Sequence, residues 1–177
     1  YSSIGHIGYV LAGLAVASNE GIQSSIVYII IYIIMNLGLF SCLLMMKKNN
    51  DYYENISDLS GLSKNHPLLS LSLLIILFSL AGIPPLAGFF AKFYIFKSVI
   101  EQSMYFLAIV GLLSTVVAAF YYLKIIKVIY FDPEKEKFDK DYSLWLKFSL
   151  TFSTILILLY FIFPSQLVEM VSRINII

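Results

Sequence analysis

Six stretches of this chain are too long and too apolar to sit in water: Tyr1–Ala17, Ile22–Met46, Pro67–Ile83, Leu86–Ile100, Met104–Phe131 and Leu144–Phe163. A helix crosses a hydrocarbon core of roughly 30 Å in about 20 residues, and lipid admits only helices or closed barrels as spanning backbone. None of the six alternates polar and apolar residues as a barrel strand does, and each is apolar on most faces. The pattern predicts an all-α, polytopic membrane bundle of about six transmembrane helices. Composition agrees: 59% of the 177 residues are hydrophobic and 13% are charged, against roughly 25% charged in a soluble domain. With 12 Lys+Arg against 11 Asp+Glu there is neither a basic surface for nucleic acid nor an acidic tail. Cys42 is the one cysteine, which excludes an internal disulfide, a dithiol and an iron–sulfur cluster. Tyr1 already lies within an apolar run that has no signal-peptide pattern, so the expectation is a processed chain or a piece of a longer one.

Pro67–Ile100 is 34 residues, about 51 Å as one helix and too long for one span. Gly82-Ile83-Pro84-Pro85 breaks it, because prolines remove backbone donors and push the preceding residue out of helical geometry. Two spans joined by a tight turn are expected, with a single kinked or re-entrant element as the alternative. The connections at Ser18–Gly21 and Glu101–Ser103 are short, and those at Lys47–His66 and Asp132–Ser143 are longer. In the first long one Ile56, Leu59 and Leu62 recur with helical spacing and Ser57 is placed to cap, which predicts a short amphipathic helix on the membrane surface. The second is charge-rich and expected as a solvated loop. Tyr52, Tyr53, Tyr142 and Trp145 fall at span edges, where amphipathic rings settle. Six spans would put both chain ends on one side. Lys124, Lys127, Lys135, Lys137, Lys140 and Lys147 then share one side, while Lys47, Lys48, Lys64, Arg173 and a snorkelling Lys97 share the other. The positive-inside rule favours the first group as cytoplasmic or matrix.

Lys92 does not fit a passive span. It lies seven residues after Pro85, about 10 Å along the helix, where a charge costs about 2.5–3.5 kcal/mol on insertion scales. No Asp or Glu lies inside any of the six runs; Glu20 and Glu101 are at span ends. Lys92 is thus a candidate for repeated gain and loss of a proton, against the alternative that it snorkels or pairs with an acid on another chain. Lys97, four residues before Glu101, is expected as an interfacial lysine. Ser2, His6 and Tyr9 share a helical face on which they can order water or relay a proton, or merely hydrogen-bond to neighbours. Tyr28, Tyr32 and Asn36 form a stripe that either lines a hydrated path or binds helices together, and Ser114 and Thr115 stand in the same position. Gly5, Gly8, Ala12 and Ala15 make a small-residue face suited to close helix packing. His66, just before Pro67, lies in a loop, which leaves no pair of haem-ligating histidines. No phosphate loop, dinucleotide fingerprint, HExxH, CxxC or supported Ser-His-Asp arrangement occurs.

Four stretches, YSSIGHIGY at Tyr1–Tyr9, DLSGLSKNHP at Asp58–Pro67, SLAGIPPLAGFFAKFYIF at Ser79–Phe96 and VGLLSTVVAAFYYLKIIKVIYF at Val110–Phe131, closely resemble the antiporter-like membrane-arm subunit of respiratory complex I, called subunit 2 in mitochondria and subunit N in bacteria. The superfamily also holds complex I subunits 4 and 5 and cation/proton antiporters; those siblings usually carry His and Lys in the helix matching Ile22–Met46, and here that helix has neither. The resemblance implies a bundle of two inverted repeats, each with a broken helix at mid-membrane. This chain would be the last six helices: residues 1–131 as the second repeat, 132–143 as a charged loop, and 144–177 as the final span and tail.

By the same resemblance Lys92 falls on the proton-exchanging lysine of the outward half-path, in a helix broken around Gly82, Pro84, Pro85 and Gly88. His6 falls on the central axis, with Ser2, Tyr9, Tyr28, Tyr32, Asn36, Ser114 and Thr115 supporting it. The implied function is that of a proton-translocating, non-redox subunit of NADH:ubiquinone oxidoreductase, without a cofactor on this chain. The alternatives are a monovalent cation/proton antiporter subunit and a purely structural membrane subunit. Implied partners are other complex I membrane subunits, including a separate chain with the first repeat (as from a split gene, unless the chain is incomplete), and membrane lipids, with no nucleic acid. The excess of Ile, Phe, Tyr, Asn and Lys favours an organellar genome, hence the mitochondrial inner membrane over a bacterial plasma membrane.

Overall fold

The computed structural model describes residues 1–49, 51–53, 55–135, 138–139 and 143–173. Lys137, Lys140, Tyr142 and residues 174–177 of the tail lie outside the described residues. Among those described are eight α-helices: α1 (Ser2–Ala15), α2 (Asn19–Met45), α3 (Leu62–Asn65), α4 (Pro67–Ala81), α5 (Ala87–Glu101), α6 (Tyr105–Phe131), α7 (Leu144–Leu159) and α8 (Pro164–Ser172). Local chemistry sets several ends. The Ser18 hydroxyl accepts from the Gly21 N–H at 3.1 Å and starts α2. Pro67 and Pro164 occupy first turns, where a missing N–H costs nothing. Gly82, at φ +86°, ends α4 and returns its N–H to the Phe78 and Ser79 carbonyls.

α2 and α6, 27 residues each, are the described helices long and apolar enough to cross a membrane alone, at about 40 Å each. α2 is the organising column. α1 lies antiparallel on it: a Cβ on Gly13 would meet Ser25 Oγ at 2.4 Å, and one on Gly21 would meet the Gly13 carbonyl at 2.4 Å. α7 is also antiparallel to α2, with the Ser41 hydroxyl donating to Ser149 at 2.8 Å and Gly38 against Ser153. α8 turns 92° away from α7 and brings Val168 beside Glu20 and Lys97.

The contacts of α4 and α5 with α2 correct the expected two spans. Moving along α4 and α5, Ile76 meets Gly38, Ser79 meets Met35, Ala87 lies by Ile31, and the Tyr94 carbonyl accepts from Ser24. The partner number on α2 falls steadily, so α4 and α5 follow one another down the same side of α2. All six apolar runs are helical, but these two form one broken crossing. At 15 residues each, about 22 Å, neither half reaches through a core of roughly 30 Å by itself.

That single crossing moves Lys47, Lys48 and Lys64 from the end where they were expected to the opposite one. α1, α4–α5 and α7 run one way and α2 and α6 the other, so both long polar connections meet at the same end. The Gly61 N–H bonds the Val128 carbonyl, the Lys135 N–H the Ser60 carbonyl, and the Asp139 N–H the Lys47 carbonyl; Lys64 lies 3.9 Å from Glu134. Lys47, Lys48, Lys64, Lys124, Lys127, Lys135 and Lys147 therefore gather at one end, and Lys97 and Arg173 at the other.

The expected amphipathic helix is also replaced. Lys47–Lys48 pairs antiparallel with Asp51–Tyr52, followed by a 3-10 turn at Ile56–Leu59 whose Asn55 N–H is held by Asp58 rather than by a Ser57 cap. Gly61, at φ +65°, stops the turn before α3. Leu59 and Leu62 are buried and Ile56 is exposed. The charged loop is anchored too: Phe138 is buried against Tyr53 and His66. Trp145 and Tyr52 are exposed.

Candidate functional site

Burying an ammonium in a helix bundle requires acceptors, and the break in the α4–α5 crossing supplies them. In a continuous helix the Leu80 and Ala81 carbonyls would take the N–H groups four residues on. Those residues are Pro84 and Pro85, which have no N–H to give. The open carbonyls, at the negative end of the α4 dipole, accept from Lys92 Nζ at 2.9 and 3.0 Å. Lys92 is 6% exposed, and its ammonium also stands 5.4 Å from the centroid of the Tyr9 ring, within the range of a cation–π contact. No carboxylate pairs with it among the described residues. Gly82 makes room: a Cβ there would lie 3.1 Å from Nζ and 3.0 Å from Cδ.

Gly88, expected as part of the break, lies inside α5 and serves a close approach. A Cβ on it would fall 1.9 Å from the Ser79 carbonyl oxygen, and its N–H donates to the Ser79 hydroxyl at 2.9 Å. That hydroxyl, fully buried, also reaches Met35 Sδ at 3.1 Å. Ser79 thus ties the two halves of the crossing to α2.

His6, 3% exposed, is held between two phenols on two other helices: Nδ1 lies 2.8 Å from the Tyr28 hydroxyl and Nε2 lies 3.0 Å from the Tyr122 hydroxyl. Tyr122 is bonded in turn to the Ser2 hydroxyl. Tyr32 stacks on the imidazole with centroids 4.6 Å apart. Tyr9 touches both candidate centres, with its ring edge-on to His6 at 6.2 Å and beneath Lys92, while its hydroxyl turns to Ser114 at 2.9 Å. The hydrogen-bonded chain through His6 and the lysine pocket are therefore neighbours on either side of the Tyr9 ring.

Ser2, His6, Tyr9, Tyr28, Tyr32, Ser114 and Lys92 are brought together. Asn36 is not, since its amide donates to the Tyr32 carbonyl of its own helix at 3.0 Å. Thr115 bonds the Leu112 carbonyl on its own helix and shares with Lys92, Gly82, Lys97 and Glu101 the lining of a cavity of about 470 Å³ between α5 and α6. Lys97 and Glu101 lie 3.7 Å apart, both exposed. Gly5 and Gly8 face open space, and the close approach of α1 to α2 uses Gly13 and Gly21 instead. Tyr122 and Ser79 were missed from sequence: a tyrosine among aromatics and a serine in an apolar run carry no local mark. The two prolines four residues after Leu80 and Ala81 were a signal that the open carbonyls would need a donor. Among the described residues no three of His, Cys, Asp and Glu gather as a metal-binding group.

A model of the NADH:quinone oxidoreductase/Mrp antiporter transmembrane family matches residues 1–118. The chain is 81% identical over all 177 residues to NADH-quinone oxidoreductase subunit N of Pelagibacter ubique, of which it spans 38%. It is 45% identical over 168 residues to subunit N of Parvibaculum lavamentivorans, a match covering 95% of this chain and 35% of that protein. Among solved structures, a chain of respiratory complex I from Thermus thermophilus superposes with TM-score 0.80 at 27% identity, over 96% of this chain and 38% of that one. A chain of the Mrp complex from a Dietzia species gives TM-score 0.80 at 20% identity, over 94% and 39%, a likeness of fold alone. The chain thus spans little more than a third of the curated relatives it matches. Those relatives are bacterial and do not support the expected mitochondrial source.

Proposed function

Because the chain belongs to the NADH:quinone oxidoreductase/Mrp antiporter membrane family, we propose that it works as part of a proton-translocating subunit N of a bacterial NADH:quinone oxidoreductase, in the plasma membrane. Residues 1–131 act as its second repeat, and Lys92 holds and releases the transported proton. Electron transfer and its cofactors belong to other subunits, which are the partners of this chain together with membrane lipids. The observation carrying the proposal is the Lys92 ammonium, buried at a helix break and held by the Leu80 and Ala81 carbonyls. Backbone acceptors remain in place whether the amine is charged or neutral, so the proton can leave without stranding a buried carboxylate. When quinone chemistry elsewhere changes the charge near the break, the balance between the two forms shifts and the proton moves.

Lys92→Ala in the whole complex tests this through proton uptake or release per quinone reduced in sealed vesicles. Pumping is expected to fall strongly in complex that still assembles on native gels. Wild-type pumping by assembled Lys92→Ala complex would sink the proposal, and poor assembly with a fully coupled assembled fraction would favour a scaffold role. The family description also names Mrp antiporters; transport that depends on sodium or potassium separates that reading from proton pumping.

A further inference from the structure

The Tyr28 hydroxyl is buried, with the residue 1% exposed, and among the described residues its partner is Nδ1 of His6, 2.8 Å away. A buried hydroxyl proton left without an acceptor is unfavourable, because the water it gave up is not replaced. Tyr28 therefore donates to Nδ1, which fixes the neutral imidazole as the tautomer carrying its proton on Nε2. That proton is donated to the Tyr122 oxygen 3.0 Å away, and the Tyr122 hydroxyl is left to donate to Ser2. The opposite tautomer would need the Tyr28 proton to find another acceptor. Three groups, Tyr28, His6 and Tyr122, thus point their protons one way, from α2 through α1 to α6 and on to Ser2 at the start of α1.

We propose that Tyr122 is a proton-relay residue that carries protons between His6 and Ser2, in a chain Tyr28–His6–Tyr122–Ser2 set in that direction. The proposal rests on the proton-translocating role given above and adds a residue and a direction to it. In one transit an ammonium or hydronium donor reaching the Tyr28 oxygen gives it a proton as the Tyr28 proton moves to Nδ1. The Nε2 proton moves to the Tyr122 oxygen, the Tyr122 proton moves to Ser2 Oγ, and the Ser2 proton leaves. One proton enters, one departs, and no group ends with a net charge. Afterwards His6 carries its proton on Nδ1 and the hydroxyls point the other way, so the chain must turn back before a second proton follows in the same direction. The Tyr9 hydroxyl, turned to Ser114, is not a member of this chain.

Tyr122→Phe keeps the ring and removes the bonds to both His6 and Ser2. In the whole complex it is expected to slow quinone-coupled proton pumping by about a hundredfold, the low end of what a positioned acid–base group contributes. Pumping at the wild-type rate by assembled Tyr122→Phe complex overturns the relay. If Lys92→Ala is deficient in the same assay, the lysine role still stands, so the two failures are told apart. A second measurement needs no variant to be active: the nitrogen-15 spectrum of histidine-labelled complex, with the His6 signals assigned by their loss in His6→Gln. The proton is expected on Nε2 in the unmodified complex and on Nδ1 in Tyr28→Phe, where Tyr122 becomes the remaining phenolic donor. A proton on Nδ1 in the unmodified complex overturns the direction of the chain.

Discussion

A charge at mid-membrane costs about 2.5–3.5 kcal/mol on insertion scales, and a hydrogen bond to a charged group returns about 1.5–3 kcal/mol. Lys92 makes two such bonds, to Leu80 and Ala81, so its burial is roughly offset with no carboxylate at all. The two prolines keep those carbonyls open. Pro84→Ala combined with Pro85→Ala would restore two N–H donors to compete with the ammonium. Proton pumping in that double variant is expected to fall several-fold while assembly persists; an unchanged rate would show that Lys92 does not depend on the open carbonyls. Ser79→Ala would strand the buried Gly88 N–H at a cost of about 1–3 kcal/mol, seen as a lower thermal midpoint of the complex. Lys92 and His6 were legible in the sequence because they are polar residues inside apolar runs. Tyr122 was not, since its role comes from His6, 116 positions away.

At the scale of elements, the broken crossing depends on backbone approach. A methyl on Gly88 would fall 1.9 Å from the Ser79 carbonyl oxygen, whereas one on Gly111 would meet the Phe96 ring at 2.6 Å. A ring can swing aside and a carbonyl in a packed helix cannot. Gly88→Ala is therefore expected to destabilise by about 1–3 kcal/mol or more, and Gly111→Ala by less. Thermal unfolding of the two variant complexes checks the order, and equal midpoints would contradict it. The helices themselves were readable from their apolar runs, as was the break from Gly82 and the prolines. Whether the halves turn back or continue was not, because both outcomes give the same local pattern. Contacts with α2 decide it. The expected surface helix failed for a comparable reason: the spacing of Ile56, Leu59 and Leu62 fits a helix, but Gly61 in the left-handed region interrupts it.

For the whole molecule, continuing α4 into α5 removes one pass and moves the Lys47–Lys64 group to the Lys124–Lys147 end, turning a slight charge asymmetry into a strong one. Under the positive-inside rule that end is expected to face the cytoplasm. Cys42 is fully buried and does not compete with reporter cysteines introduced elsewhere on this chain. In intact spheroplasts a membrane-impermeant maleimide is expected to label Arg173→Cys and to label Lys135→Cys only after permeabilisation; the reverse result would invert the orientation. The membrane class, the helical segments, the site of the break and the buried lysine and histidine were all readable along the chain, because each follows from residue type over a short stretch. The course of the chain past Pro85, the end that collects the lysines and the hydroxyls that hold His6 emerged from the packing of the helices. Those outcomes depend on pairs of groups from different helices, and local periodicity has no term for the distance between them.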